Sequence, residues 1–330
     1  MKHKPVSKFH PQMANTVVFM EHLSSNEYYF RGHTDLTPVL QDINLSIHKG
    51  QAWGINGDSF FALKLLLQIM GNIRPYYKGR CILSEHGMMR SKRFILPHVF
   101  YIGNSSMVYN NMNVLEFLMF AMARNHEDKV QQQERLFEFL IDIGLGKISL
   151  TPIYSLPKEY KAVIVLLVSA YSDSQLVIYN FPEYHYNRML LDAMAEIAKR
   201  MMENGKALVI ATTNCDLIET VCSHTAFLYN GAVVFHGTVE EFQKTYDSVI
   251  LTLWDKEAEQ IAERLKILLP QYRYEVMEDC LKVRNYGSVQ SDPRLVYNTV
   301  IDAGFSPRKV SIDPKNVWNA CEEITRRYDI

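Results

Sequence analysis

In this 330-residue chain, the stretch Gly54-Ile55-Asn56-Gly57-Asp58-Ser59-Phe60-Phe61 joins a short apolar strand to a leucine-rich helix. A glycine-spaced turn between a strand and a helix N-terminus is the setting in which backbone N–H groups cradle phosphate. A working loop of this kind reads G-x-x-x-x-G-K-S/T, its lysine reaching the terminal phosphates and its hydroxyl holding Mg²⁺. Here Gly54, Asn56 and Gly57 fit the frame and Asp58 follows, but Ser59 stands at the second glycine, Phe60 at the lysine and Phe61 at the hydroxyl. A phenyl ring donates nothing to phosphate and fills the volume that a terminal phosphate and its metal need. Losing two or three charge-assisted contacts of roughly 1.5–3 kcal/mol each removes about 5 kcal/mol, on the order of a few thousandfold in affinity. Taken alone, the loop reads as an ordinary buried strand, glycine turn and helix.

Further stations follow downstream. The run Gln175 to Pro182 is a buried strand ending in Asn180 and Phe181, and Ala207 to Asn214 is a second one ending in Asn214. In an open α/β sheet the C-terminal edge of such strands is where ligands bind. Asn104 follows a strand candidate over His98 to Ile102. Ser155-Leu156-Pro157-Lys158 precedes an apolar helix over Lys161 to Tyr171, and Tyr29 lies with Tyr28 in an aromatic cluster upstream of the loop.

The elements that must position these stations follow from periodicity. Strands are expected over Thr16 to Met20 and Val39 to Ile47, the latter alternating apolar and polar. After the loop helix, Pro75 to Gly79 marks a turn and Arg80 to Leu83 a strand. Helices are expected over Val114 to Arg124, Glu127 to Gly144 and Arg188 to Glu203, the last closed by Asn204-Gly205. Asn230-Gly231 between two apolar runs signals a hairpin. The fold class is therefore α/β: a mostly parallel sheet with helices on both faces and antiparallel strands near the N-terminus. Beyond Asp247 the pattern changes to strand, helix, hairpin, helix, strand, helix, a small α+β domain. The domains read as 15–246 and 247–330.

With 48% hydrophobic and 22% charged residues, the chain can bury a full core. Its formal net charge of -1 gives no support to nucleic-acid binding. Five scattered cysteines read as reduced thiols. The basic, polar start lacks a signal-peptide core and no apolar run reaches membrane-spanning length, so any membrane role would be borrowed from a partner.

In order and spacing the stations resemble the ATP-binding cassette (ABC) ATPase domain of transporters, a P-loop NTPase fold, over roughly residues 15–246. The resemblance implies that Tyr29 stands where adenine is stacked, Asn104 at the glutamine of the glutamine loop, and Ser155, Leu156, Pro157 and Lys158 at the signature that grips a nucleotide across a dimer. It puts Asn180 at the metal-holding aspartate, Phe181 at the catalytic glutamate and Asn214 at the switch histidine. Phe60, Phe61, Asn180, Phe181 and Asn214 lack the chemistry of those positions, which describes a degenerate cassette. The resemblance then implies no catalytic residue, no metal site, and a pseudo-ATPase that is not an enzyme by itself. ATP would be bound weakly, or contacted in trans on a partner. The small C-terminal domain resembles the extension of cassette subunits that serve ABC-2 type exporters. The implied partners are an active cassette subunit, in a heterodimer, and an ABC-2 type membrane permease, with this chain cytoplasmic and peripheral at the inner face of the membrane. The alternative is a soluble scaffold or regulator that keeps the frame for protein contacts.

Overall fold

The computed structural model describes residues 15–31, 35–84, 86–87, 97–103, 111–122, 128–180, 184–285, 292–312 and 314–328. Their contacts gather into two units, one up to Val239 and one from Glu240 onward.

The first unit opens with β1 (Thr16–Ser25), β2 (Tyr28–Arg31), β3 (Asp35–Pro38) and β4 (Ile43–His48); among the described residues β2 and β3 pair only with each other. β1 is flanked by β4 and by β6 (Tyr76–Leu83), which in turn pairs with β7 (His86–Gly87), all antiparallel. Two expectations fail here for one reason. The strand expected over Val39 to Ile47 is interrupted at Asp42, which sits at φ +50, so the ladder with β1 begins at Ile43, and before the break Leu40 O accepts from Ser25 N–H (3.0 Å). The turn expected at Pro75 to Gly79 is instead a bulged strand, because Gly79 at φ +95 lies against β1 where His22 is itself left-handed at φ +49. A Cβ on Gly79 would come within 2.3 Å of the His22 carbonyl oxygen, so only glycine fits. His22 Nδ1 meets Asp42 Oδ1 at 2.7 Å, tying the two irregular positions together.

β5 (Ala52–Gly57) starts the second sheet, ordered β12-β11-β5-β10-β9-β8. Its members are β8 (Val99–Ile102), β9 (Leu176–Asn180), β10 (Ala207–Ala211), β11 (His224–Tyr229) and β12 (Ala232–Thr238). β8 to β11 run parallel to β5 or to each other, and β12 returns antiparallel through Asn230 and Gly231, both at positive φ as a two-residue hairpin turn requires. The five residues of β10 are all buried, the mark of a parallel strand covered on both faces.

The helices of this unit are α1 (Phe60–Met70), α2 (Val114–Ala121), α3 (Lys129–Asp142), α4 (Lys158–Ala170), α5 (Arg188–Glu203) and α6 (Cys215–Val221); α1, α5 and α6 pack on the sheet, Tyr179 of β9 donates to Ala162 O of α4, and α2 packs with α3 and α4. Trp53 and Ile55 of β5 face the α1 side and share its core. Gly54 faces the opposite side, where a Cβ would come within 2.9 Å of Ile218 on α6. Seven side chains of α1 are buried, each large apolar one contributing roughly 1.5–3 kcal/mol. Helix starts are capped as the local sequence dictates. Asn113 and Glu116 form a reciprocal capping box at α2, and Asn187 accepts from Leu190 N–H at α5. α6 has no counterpart among the sequence expectations.

The second unit continues from α7 (Val239–Tyr246) through β13 (Val249–Trp254), α8 (Ala258–Leu268), β14 (Tyr272–Met277), β15 (Cys280–Asn285), α9 (Pro293–Asp302), β16 (Lys309–Ser311) and α10 (Val317–Tyr328). From β13 to β16 this is a βαββαβ chain with sheet order β14-β15-β13-β16, every pair antiparallel. That is the split-βαβ, ferredoxin-like arrangement. Leu251, Leu253, Leu281 and Val283 of the sheet share a core with Ile261 and Leu265 of α8 and Val296 and Val300 of α9. Arg284 alternates with Val283 and is wholly buried. Its guanidinium donates from Nε to Glu275 Oε2 (2.8 Å) and from Nη2 to Glu322 Oε2 on α10 (2.7 Å). Desolvation pushes the Glu275 carboxyl up, but the hydrogen bond and charge of Arg284, helped by Arg326, outweigh it and hold Glu275 below the usual carboxylate range.

Candidate nucleotide site

The parallel ladder brings several sequence stations to one edge. Ala211 of β10 is opposite Ile55 of β5 and opposite Asn180 of β9, so the loop after β5, the end of β9 and the segment leading to Asn214 emerge together. This is the C-terminal edge of the sheet, where ligands of α/β folds bind.

The loop itself is held by its own contacts. Gly57 N–H donates to Asn56 Oδ1 (2.7 Å), Asp58 N–H to Leu228 O (3.2 Å), and Asn230 N–H to Asp58 Oδ2 (2.9 Å). Two of the N–H groups that would cradle a phosphate are thus engaged by the protein, and the loop is clamped to the β11–β12 hairpin. Gly57 is required by packing, because a Cβ there would lie 2.5 Å from Leu228 O. Ser59 is the N-cap of α1, its Oγ accepting from Ala62 N–H at 3.3 Å. Phe60 and Phe61 begin the helix and are 52% and 51% exposed. The sequence expectation put their rings in the space of a terminal phosphate and metal; the structure places both at the helix N-terminus, open to solvent over half their surface. The positive end of the helix dipole remains there.

Asn180 closes β9 with its Oδ1 buried and without a hydrogen-bond partner among the described residues. Asn214 is the N-cap of α6, accepting from Leu217 N–H at 3.0 Å. Its amide is therefore occupied in holding a helix. Phe181 and Asn104 lie outside the described residues, as does the side chain of Tyr29, whose backbone is in β2.

Ser155 to Lys158 belong to another group of elements, a 3-10 turn (Ile153–Ser155) leading into α4, which packs with α2 and α5. Ser155 Oγ donates back to Pro152 O (2.8 Å), Leu156 is buried, and Pro157 is the N-cap of α4 without a side-chain bond. Lys158 Nζ sits 4.3 Å from the centre of the Tyr184 ring, a cation–π contact.

A Mg²⁺ ion needs hard oxygen ligands in an octahedron. The described residues at this edge do not fit one: Phe61 has no side-chain oxygen, Asn180 gives one neutral oxygen, Asp58 and Ser59 already accept from Asn230 N–H and Ala62 N–H, and no His, Cys, Asp or Glu cluster suited to a metal occurs among the described residues.

Some built features had escaped the sequence reading. At the opposite, N-terminal end of β5 a cavity of about 510 Å³ is lined by Trp53 and by His48, His224 and His236. Trp53 stacks on His224 with centroids 5.0 Å apart, and Gln51 accepts from both Trp53 Nε1 (2.9 Å) and His48 N–H (2.8 Å). Lys206, after the α5 C-cap, donates to the Ala170 carbonyl at 2.8 Å and so closes α4; desolvation lowers its pKa. Only proximity in three dimensions reveals these contacts.

No protein-family model matches the chain. Among curated proteins, it is similar to a putative ABC transporter ATP-binding protein of Clostridium tetani, 20% identical over 226 residues, covering 68% of this chain and 50% of the relative. It is also similar to the lipoprotein-releasing system ATP-binding protein LolD of Rickettsia conorii, 22% identical over 62% of this chain and 92% of the relative. The energy-coupling factor transporter ATP-binding protein EcfA of Methanosarcina acetivorans is 25% identical over 71% of this chain and 86% of the relative. The chain therefore spans half the length of the first relative and most of the other two. Among solved structures, cbiO1 from Clostridium perfringens, part of an ABC transporter complex, gives a TM-score of 0.57 at 16% identity over 78% of this chain and 96% of that one. A dimeric ATP-binding cassette in a post-hydrolysis state, bound to ADP and phosphate, gives 0.54 at 15% identity over 67% and 98%.

These findings correct one expectation. The reading that the chain is not an enzyme rested on side-chain types at five positions, whereas its relatives and fold neighbours are ATP-binding cassettes, one of them solved after hydrolysis. At about 20% identity, the loss of familiar side chains at motif stations does not establish loss of activity, since the backbone frame and helix N-terminus that meet phosphate are present. No described helix is long and apolar enough to cross a membrane. Fold neighbours and sequence relatives agree on one statement: this chain has the fold of ATP-binding cassettes and is similar in sequence to ATP-binding proteins of ABC transporters.

Proposed function

We propose that this chain is an ATP-binding subunit of an ABC exporter, with a cassette over 15–246 and a C-terminal domain over 247–330. It pairs with a second cassette subunit whose phosphate loop bears the lysine, and both work on an ABC-2 type permease at the cytoplasmic face of a membrane. Its own loop holds ATP weakly. The observation that carries this reading is the loop geometry: the N–H groups of Gly57 and Asp58 are engaged within the protein, and Phe60 and Phe61 stand exposed where an ammonium and a hydroxyl would meet phosphate. Tyr29, Asn104, Ser155 to Lys158, Asn180, Phe181 and Asn214 are assigned to the remaining stations of the cassette. The exporter assignment rests on the resemblance of the C-terminal unit's sequence to the extension of cassette subunits that serve ABC-2 type exporters.

Nucleotide binding by the full chain, with and without Mg²⁺, tests the loop. Restoring the missing groups by Phe60→Lys with Phe61→Ser adds two charge-assisted contacts, about 3–5 kcal/mol, so ATP affinity should rise by two orders of magnitude or more. Micromolar binding by the unaltered chain that Phe60→Lys leaves unchanged would refute the reading. Purification from membranes with a tagged chain tests the pairing: a second cassette subunit and an integral membrane protein should co-purify.

A further inference from the structure

The second unit holds a cavity of about 500 Å³ beside the junction of α7 and β13, the volume of a small-ligand pocket. Three cations line it, Lys244, Lys315 and Arg327, against one carboxylate, Asp247, among the described residues. Asp247 is already committed. It is 2% exposed, and its oxygens accept from Val249 N–H (3.0 Å), Asn316 N–H (2.8 Å) and Asn319 Nδ2 (3.4 Å), pinning the start of β13 to the start of α10.

The cations are less completely matched. Lys315 Nζ donates to the Asp247 carbonyl, a neutral acceptor. Arg327 donates through Nε to Glu323 Oε1 (3.1 Å) and lies over the Tyr246 ring, which leaves the far side of its fork for another acceptor. Lys244 pairs with Glu240 in an exposed contact within one helix, a kind worth little and readily exchanged. Three like charges around one small volume repel each other, and an anion among them removes that repulsion. Arginine and lysine are the side chains that hold carboxylates and phosphates, the first by a planar fork and the second as a point charge. The rest of the wall sets Ile250, Pro293 and Ile312 beside the polar Thr245, Ser248 and Asn285, so it offers contact to an apolar body as well as to a charged head.

We propose that this cavity is a binding site for a small organic anion, a carboxylate or phosphate monoester with an apolar body, held by Lys315 and Arg327 with Lys244 at its mouth. The site lies wholly in the second unit and does not involve the edge where the phosphate loop emerges.

Calorimetric titration of the full chain at low salt tests this, with phenyl phosphate as the probe and inorganic phosphate as the same head without a body. Phenyl phosphate should bind with one saturable equivalent, at least tenfold tighter than inorganic phosphate. Lys315→Gln combined with Arg327→Gln should weaken it tenfold or more, while Lys266→Gln, a cation of the same unit that does not line the cavity, should leave it unchanged. Because Arg327 also holds Glu323, a second variant guards against a folding effect: Ile312 is 60% exposed, so Ile312→Glu adds a carboxylate to the wall without disturbing the core and should abolish binding. Absence of saturable binding to the unaltered chain, or binding that survives both variants, overturns the proposal.

Discussion

Gly57→Ala separates two reasons for a glycine at the end of β5: room for a ligand, or room for the neighbouring strand. A Cβ at this position would lie 2.5 Å from Leu228 O and 2.9 Å from Leu228 Cβ. Leu228 is the register partner of Gly57 in β11, and its carbonyl also accepts Asp58 N–H at 3.2 Å. Regaining an ordinary 3.4 Å contact means parting the two strands by about 0.9 Å, more than a packed interior absorbs freely. Overpacking of this kind costs about 1–3 kcal/mol, and the strained Asp58–Leu228 bond adds about 1 kcal/mol, so a loss of about 2–4 kcal/mol is expected. The assay is urea unfolding followed by fluorescence. The chain has three tryptophans; replacing Trp254 and Trp318 by phenylalanine leaves Trp53, on β5 itself, to report the first unit. Gly205→Ala is the control, because Gly205 is left-handed at φ +70 with nothing within 4 Å of a Cβ, so only the backbone cost of roughly 1–2 kcal/mol applies. If Gly57→Ala unfolds within about 0.5 kcal/mol of the parent but weakens nucleotide binding, the packing explanation is wrong and the glycine serves ligand approach.

Asn214→Ala should cost about 1 kcal/mol of stability by uncapping α6, and Asn214→Asp should restore it; thermal unfolding of both variants reads this. Glu322→Ala leaves the buried Arg284 guanidinium with Glu275 as its remaining carboxylate in that cluster and should destabilise the second unit by about 2–3 kcal/mol, whereas Arg284→Met should be near neutral, since an apolar replacement leaves no uncompensated buried charge; urea midpoints with Trp254 as reporter decide the order. Burial pushes the thiols of Cys81 and Cys222 up to about 12, so the folded chain keeps protons that the unfolded chain loses near pH 9. Stability is therefore fully present below pH 9 and falls by about 1.4 kcal/mol per pH unit per thiol on the way to pH 12, and a thiol reagent at pH 8 should label both cysteines only after unfolding.

Local signals carried much of the fold. Asn204-Gly205 closes α5 and Asn230-Gly231 turns the hairpin, because the C-cap and the positive-φ pair are properties of adjacent residues. What was illegible depends on partners distant in sequence. Gly79 looks like a turn residue until His22 is seen opposite it, and the alternation over Val39 to Ile47 continues past a break at Asp42 that only pairing with β1 reveals. α6 was missed because Thr212 to Asn214 reads as a polar strand end; the signal was there in Asn214 as a cap, Asp216 in the first turn, and Leu217, Ile218 and Val221 at helical spacing. The α+β character of the second unit and its β14–β15 hairpin were readable, but its strand order was not, since β15 joins β13 through pairs about 30 residues apart in the sequence.

The residues that carry the likeness to ATP-binding cassettes are, in this chain, residues with a folding task. Gly54 admits Ile218 of α6, Gly57 admits Leu228, Asp58 clamps the β11–β12 hairpin, Ser59 caps α1 and Asn214 caps α6. Each would be required by packing or by capping whether or not a nucleotide ever entered the site. Retention of the motif frame therefore speaks for the fold and says little about the chemistry. Phe60 and Phe61 stand outside that set: half exposed on the first turn of α1, neither is buried in the core that the frame builds. Asn180 stands apart as well, with a buried amide oxygen that accepts nothing among the described residues. No packing or capping task of that kind is seen at those three positions among the described residues. Nucleotide titrations of variants at Phe60, Phe61 and Asn180 will thus read the chemistry of the site, and variants at Gly54, Ser59 or Asn214 will chiefly read its stability.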